Sequence, residues 1–273
     1  MMKKNQAKLL LPLLAILVIL GCATKREAKT EKPIKVMAYN IHIASPPSIK
    51  PDFSFTDLDA VADVINREKP DLVSLQEVDK YTARSGKQSH QANDLGAKTG
   101  MYAHFADAVD RSEGVQGVAI LSKYPIKKAD QYKLPVPQGS KGETRSIALV
   151  IVEIAGKDVL FCSTHIDHMS DETRQFQVNQ ILTILAKYKG YPIIFSGDLN
   201  MQPNSPVFKS FDGVLNPSTN QLLTFPSVKP KLILDYILFN NQFNDAFTFK
   251  RYYTVDEKYA SDHLPLVAEF VAK

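Results

Sequence analysis

Apolar, β-branched runs recur along this chain, and each ends or begins on a side chain able to hold a metal ion or a phosphate. "IKVMAYNIHI" delivers Asn40 and His42, "DLVSLQEV" closes on Glu77, "KDVLFCSTHID" on His165 and Asp167, and "YPIIFSGDLN" on Asp198 and Asn200. Asp235 opens "DYILF", and Asp262 and His263 precede "LPLVAEFVA". Such runs read as buried strands, and strand ends in packed sheets gather along a common rim. If these ends share one rim, carboxylates, amides and imidazoles cluster over an apolar core. Taken singly, each has a plainer role: Asn40 and "GDLN" as turn residues, Glu77 as a surface carboxylate, His165 as a core histidine bonded to backbone. Asp262 and His263 are adjacent, so on an extended segment they point to opposite faces and each needs its own partner.

The intervening segments supply helices. In "FTDLDAVADVINREKP", Leu58, Val61, Ala62 and Ile65 recur at helical spacing, with Thr56 or Asp57 as cap and Pro70 as stop. "QANDLGAKTG" reads as a short helix closed by Gly100, although the pattern over residues 80–112 is otherwise weak. Ser170 caps a third helix, Asp171 and Glu172 suit its positive end, and Ile181, Ile184, Leu185 and Tyr188 form its apolar stripe. Four strand candidates stand in succession before it, the last two joined by a tight hairpin at Gly156. Strands outnumber helices, and the two longer helices each lie between strands. The pattern predicts a layered α/β fold of two sheets packed face to face with helices outside, in one domain over residues 33–273.

The N-terminus differs in kind. Lys3, Lys4 and Lys8 precede the apolar run 9–20, which is interrupted by Pro12 and too short to span a bilayer as a conventional helix. Residues 1–21 read as a signal peptide. "ILGCA" resembles the lipobox of bacterial lipoproteins, which makes Cys22 the expected site of lipid attachment, and the polar residues 22–32 a tether. The expectation is an exported, lipid-anchored protein, periplasmic or on the cell surface. Cys162 is then the remaining thiol, so no disulfide framework follows; within "VLFCSTH" it reads as a small buried hydrophobe. The formal charge of +4 includes three leader lysines and a tether with four basic against two acidic side chains, which leaves the domain at about −1. That balance does not advertise a dedicated nucleic-acid binder.

"YNIH", "LQEVD", "GVAILSKYP", "STHID", "GDLNMQP", "LDYIL" and "SDHLP", in this order, resemble the successive motifs of the endonuclease/exonuclease/phosphatase superfamily, the deoxyribonuclease I-like phosphoesterases. The resemblance implies a four-layer α/β sandwich, two packed mixed sheets flanked by helices. It implies hydrolysis of phosphoesters with Mg²⁺, a hard cation that one or two carboxylates suffice to bind. By resemblance Glu77 is the principal metal ligand, with Asn40 beside it and Asp262 directly or through water. Asp198 positions or deprotonates the attacking water and Asn200 holds it. His263 contacts the phosphate with its tautomer set by Asp235. His165 bonds another phosphate oxygen or assists the leaving group, with Asp167 orienting it or exposed. Arg145 either neutralises phosphate or forms a cross-strand salt bridge. Arg84 and Tyr102 are weaker candidates, and His90, His104 and His168 read as structural or exposed. One departure matters: His42 stands where the apurinic endonucleases have an aspartate, and as a ligand or a substrate contact it opens the way to Mn²⁺.

The expected function is therefore a metal-dependent phosphoesterase acting as a monomer on a small or lipid-linked phosphodiester or phosphomonoester. The alternatives are a secreted nuclease and, further off, a non-catalytic binding lipoprotein. Absence of Trp as a stacking platform leans mildly against the nuclease, although eleven Tyr keep stacking open.

Overall fold

The computed structural model describes residues 32–49, 53, 55–216 and 222–273; the signal peptide, Cys22 and all of the tether but Lys32 lie outside the described residues. In chain order the strands are β1 (Ile34–Asn40), β2 (Leu72–Lys80), β3 (Tyr102–Arg111), β4 (Gly114–Ser122), β5 (Ile126–Leu134), β6 (Arg145–Ile154), β7 (Lys157–His165), β8 (Ile193–Asp198), β9 (Asp235–Phe239), β10 (Phe247–Thr254) and β11 (Leu266–Ala272). The α-helices are α1 (Leu58–Glu68), α2 (Gln91–Thr99), α3 (Asp171–Leu185) and the short α4 (Asn241–Ala246). One sheet runs β10-β11-β1-β2-β4-β3 and the other β5-β6-β7-β8-β9. Each is mixed, with one parallel pair, β1 with β2 and β7 with β8.

Strand alternation sorts the apolar residues into layers. Val36 and Ala38 of β1 join Val150, Phe161, Ile194 and Phe270 in a core between the sheets. Their neighbours Met37 and Tyr39 pack instead with Val61 and Ile65 of α1 and Leu95 of α2. Leu149, Leu160 and Phe195 of the second sheet turn outward onto Val178, Ile181 and Leu185 of α3. Burying one face of each strand against a helix layer and the other against a sheet gives four layers, as the sequence pattern predicts. Cys162 is buried in the outer layer of the second sheet, and burial pushes its thiol well above the usual range.

Helix ends follow from their caps. The Asp57 side chain accepts from the Ala60 N–H, Ser170 accepts from Thr173, and Gly100 closes α2 with φ 66°. Two elements depart from the sequence reading. β3 was hidden because it is an edge strand paired only with β4, and its inward contacts come from small residues, Ala106 and Ala108, rather than large apolar ones. α4 is six residues long, too short to show a helical period.

Candidate active site

Strand pairing alone brings the polar ends together. The parallel β1–β2 pair sets Asn40 opposite Gln76, next to Glu77. The parallel β7–β8 pair sets His165 opposite Asp198, and antiparallel β8–β9 sets Asp198 opposite Asp235. β11 enters beside β1, so the turn before it passes Asn40, where the Ser261 hydroxyl donates to the Asn40 carbonyl at 2.6 Å. The two sheets then meet in one amide: Asn40 Nδ2 donates to Glu77 Oε1 and to Asp198 Oδ2, each at 3.1 Å.

Backbone strain concentrates here. β2 slips register against β4 between Leu75 and Val78, and in that bulge Glu77 takes φ 54°. Asn200 and His42 are also left-handed, at φ 47° and 49°. Each such non-glycine residue costs about 1–2 kcal/mol, a cost that recurs where side chains must be re-aimed into a site. Just before Asp198, a Cβ on Gly197 would sit 2.0 Å from the Thr164 carbonyl oxygen, so only glycine lets β8 lie this close to β7.

His263 Nδ1 donates to Asp235 Oδ2 at 2.8 Å, and its Nε2 lies 3.8 Å from Asp198 Oδ2. Burial alone depresses this imidazole, but Asp235 and then Asp198 outweigh burial and lift it to about 10. His263 is therefore a buried imidazolium. Burial and the neighbouring Asp235 push Asp198 up to about 7, against the pull of His263, the Asn40 amide and the Asn200 N–H. His165 goes the other way: burial, then Arg145, His263 and His168, hold it well below the usual range and neutral. Asn200 Nδ2 donates to the Ile166 carbonyl at 3.0 Å and lies 2.9 Å from His165 Nε2. On the other side of the ring Arg145 Nη1, which can only donate, approaches His165 Nδ1 at 3.4 Å.

Above this floor lies a cleft of ≈ 590 Å³. Glu77, Asp198, Asn200, Asp262, His263 and His165 reach it, with Arg84, Arg111, Arg145 and His168 on the walls and Phe53, Phe225, Leu232 and Leu234 as apolar edges. Asp262 Oδ1 is buried and accepts no hydrogen bond among the described residues. His42 Nδ1 lies 2.8 Å from the Ser45 carbonyl and donates to it, which leaves Nε2 facing Asp262 Oδ2 at 3.9 Å.

Residues 39–263 match the model of the endonuclease/exonuclease/phosphatase family. This chain belongs to that family. It is a hydrolase acting on phosphoester bonds. It is similar to a phospholipase C of Staphylococcus aureus, 23% identical over 325 aligned residues that cover 97% of this chain and 98% of that one. A functionally unknown conserved protein from Enterococcus faecalis V583 superposes with TM-score 0.72 at 22% identity, over 88% of this chain and 100% of the other. A mannosyl-6-phosphatase from Bacteroides thetaiotaomicron VPI-5482 superposes with TM-score 0.68 at 20% identity, over 87% and 99%. The solved structures share the sandwich fold.

In this phosphoesterase the residues singled out from sequence converge as the strand ends predict, with some corrections. Asp167 neither orients His165 nor lies exposed. It is fully buried and accepts from the Glu143 and Met169 N–H groups, a structural role. Arg145 makes no cross-strand salt bridge: its nearest carboxylate is Glu143, two residues away in sequence, at 3.6 Å. Tyr102 is exposed and outside the cleft, while Arg84 lines it with its fork held by the buried Asp79 at 2.8 Å. His90 caps α2 and His104 bonds the Asp130 carbonyl, both structural. His168 is exposed, as expected, and it also lines the cleft, 3.3 Å from Arg145 Nη2. The "HIDH" spacing was its only signal. One set of described acids and imidazoles, Asp198, Asp235 and His263, has atoms within 4.8 Å of one another and could hold a metal, a different grouping from Glu77, Asn40 and Asp262.

Proposed function

We propose that this phosphoesterase hydrolyses a small or lipid-linked phosphodiester or phosphomonoester with a divalent cation held by Glu77 and Asp262. Asn40 stands beside them, but its Oδ1 accepts from the His42 N–H and its Nδ2 braces Glu77, so it positions the ligand rather than binding the ion. The observation that carries the reading is the pairing of Asp198, raised to about 7, with the His263 imidazolium on one cleft floor. Near neutral pH Asp198 is poised to accept a proton from water, with its orientation fixed by the Asn200 N–H at 2.9 Å. His263 offers a charged Nε2–H to a phosphoryl oxygen, and Asp235 keeps the ring charged and aimed. The Arg145 guanidinium, beside His165, offers a second, adjoining donor group.

The cation site is supported by chemistry of the donors. Asp262 Oδ1 has no hydrogen-bond partner among the described residues, Glu77 is swung into the cleft by its bulge, and both are hard oxygen ligands suited to Mg²⁺. His42 Nε2 adjoins Asp262 and adds a nitrogen donor that favours Mn²⁺. The Asp198–Asp235–His263 trio is a poorer site because its atoms are already committed: His263 Nδ1 bonds Asp235 Oδ2 at 2.8 Å, and Asp198 accepts from the Asn40 amide and the Asn200 N–H. When bound, a divalent cation neutralises charge on the phosphoryl and leaving oxygens.

Several features support a compact substrate over a nucleic acid. Arg84 is neutralised by Asp79 and Arg111 by Glu143, so neither guanidinium adds a free charge for a phosphate backbone to follow. The relatives named phospholipase C and mannosyl-6-phosphatase carry names of enzymes for compact phosphoesters. Export and lipid attachment at Cys22 complete the proposal and rest on the leader sequence. The test is hydrolysis of bis(p-nitrophenyl) phosphate, phospholipid, inositol phosphates and plasmid DNA with and without EDTA. Turnover is expected on compact esters, lost with EDTA and restored by Mg²⁺ or Mn²⁺, and lost in Glu77→Ala. EDTA-resistant turnover would sink the cation, and a preference for plasmid DNA would replace the substrate class.

A further inference from the structure

Residues 222–234 do more than wall the cleft. The segment doubles back on itself: the Thr224 and Phe225 N–H groups donate to the Leu232 carbonyl at 2.8 and 3.2 Å, and the Lys231 N–H donates to the Phe225 carbonyl at 2.8 Å. Phe225, Leu232 and Leu234 line the cleft, and Leu223, Val228 and Leu232 are 42%, 65% and 39% exposed. Lys229 and Lys231 flank the tip, exposed, and neither pairs with a carboxylate among the described residues. Single exposed apolar residues need no explanation. Three of them on one short hairpin, with two unpaired ammonium groups, at the mouth of a catalytic cleft, do.

The composition identifies what such a tip meets. Lysine is depleted at protein–protein interfaces, where aromatic residues and arginine take its place. Apolar side chains with lysines at their border suit a lipid surface, where the apolar groups enter the acyl boundary and the ammonium groups meet anionic head groups. The tip is also rigidly tied to the chemistry. The Ser227 N–H donates to the Asp262 carbonyl at 2.6 Å, the Ser227 hydroxyl to the Ser261 carbonyl at 2.9 Å, and the Leu264 N–H to the Thr224 carbonyl at 2.8 Å. The Phe225 ring stands 4.8 Å from that of His263.

We propose that the hairpin of residues 222–234 docks on an anionic phospholipid surface and sets the cleft over a phosphoester held in that surface. The docking stands on the hairpin alone, whereas the reaction it serves rests on the function proposed above. The chain contains no tryptophan, so Val228→Trp in the full chain places a single indole at the tip. With phosphatidylglycerol vesicles its emission is expected to shift to shorter wavelength and to be quenched by brominated acyl chains, with a much weaker response to phosphatidylcholine. Phe176→Trp, on α3 and 41% exposed, is expected to stay unshifted. Adding Lys229→Gln and Lys231→Gln to the Val228→Trp chain should raise the lipid concentration at half-shift by about 30-fold, two lysines' share of surface attraction. Turnover of soluble bis(p-nitrophenyl) phosphate should not change. Unchanged emission at position 228, or an equal shift at position 176, overturns the docking. A full shift with no turnover of any phosphoester upholds the docking and overturns the function proposed above instead.

Discussion

Two walls of the cleft approach the same carboxylate oxygen. His263 Nε2 lies 3.8 Å and His165 Nε2 3.6 Å from Asp198 Oδ2, and both rings are buried. One is an imidazolium and the other is neutral. Burial pushes both downward, so it cannot account for the difference. The far ring nitrogen does: His263 Nδ1 faces the Asp235 carboxylate at 2.8 Å, and His165 Nδ1 faces the Arg145 guanidinium at 3.4 Å. One fold thus sets a charged ring and a neutral one around one acid by choosing what stands behind each.

The largest expected effect comes from deleting the charged wall. His263→Ala should lower kcat on bis(p-nitrophenyl) phosphate by about 10²–10⁴-fold with circular dichroism unchanged; a loss under tenfold would show that the wall is not part of the chemistry. Asp235→Asn keeps the ring and removes what charges it. It should cost about 10–100-fold in kcat, and the His263 ring protons, followed by NMR, should titrate far below about 10. Stability gives a second reading of the same pair. A histidine raised to about 10 in the folded state contributes stability that is complete below its ordinary value of 6.5 and is lost as pH rises through about 10. Denaturant titrations in EDTA should show that loss in the wild type and not in Asp235→Asn.

The neutral wall should yield smaller changes. Arg145→Met removes a charged phosphate donor and should raise KM by roughly 10–100-fold, while the His165 ring, freed of its cationic neighbour, titrates higher. His168→Gln leaves Arg145 in place and should raise KM only about 2–5-fold, the scale of one neutral hydrogen bond, with kcat unchanged. A kcat effect there would draw His168 into the reacting centre.

The floor of this site was legible in the sequence and its walls largely were not. Asn40, His165, Asp198 and Asp235 are strand termini, so buried runs of period two and the pairing of neighbouring strands fix where they meet. Glu77 was legible as a strand end, but the bulge that aims it depends on register against β4, which no local pattern encodes. Arg84, Arg111 and Phe225 come from loops and a strand edge, and their placement depends on partners such as Asp79 and Glu143 that lie outside any periodic run. The exposed His168 reaches the cleft rim for the same reason: it follows β7 into a turn held by Asp167, a buried acceptor whose role shows only once the Glu143 backbone lies beside it.

The bifurcated amide of Asn40 has a consequence for how this scaffold tolerates change. One side-chain nitrogen spans from the acid of one sheet to the acid of the other, and it works as a spacer gauge between two slabs. Enlarging or shrinking a residue in the layer the slabs share, at Phe161 or Ile194, would tilt them and open the gauge, so remote packing substitutions should surface as lost turnover before they surface as lost stability.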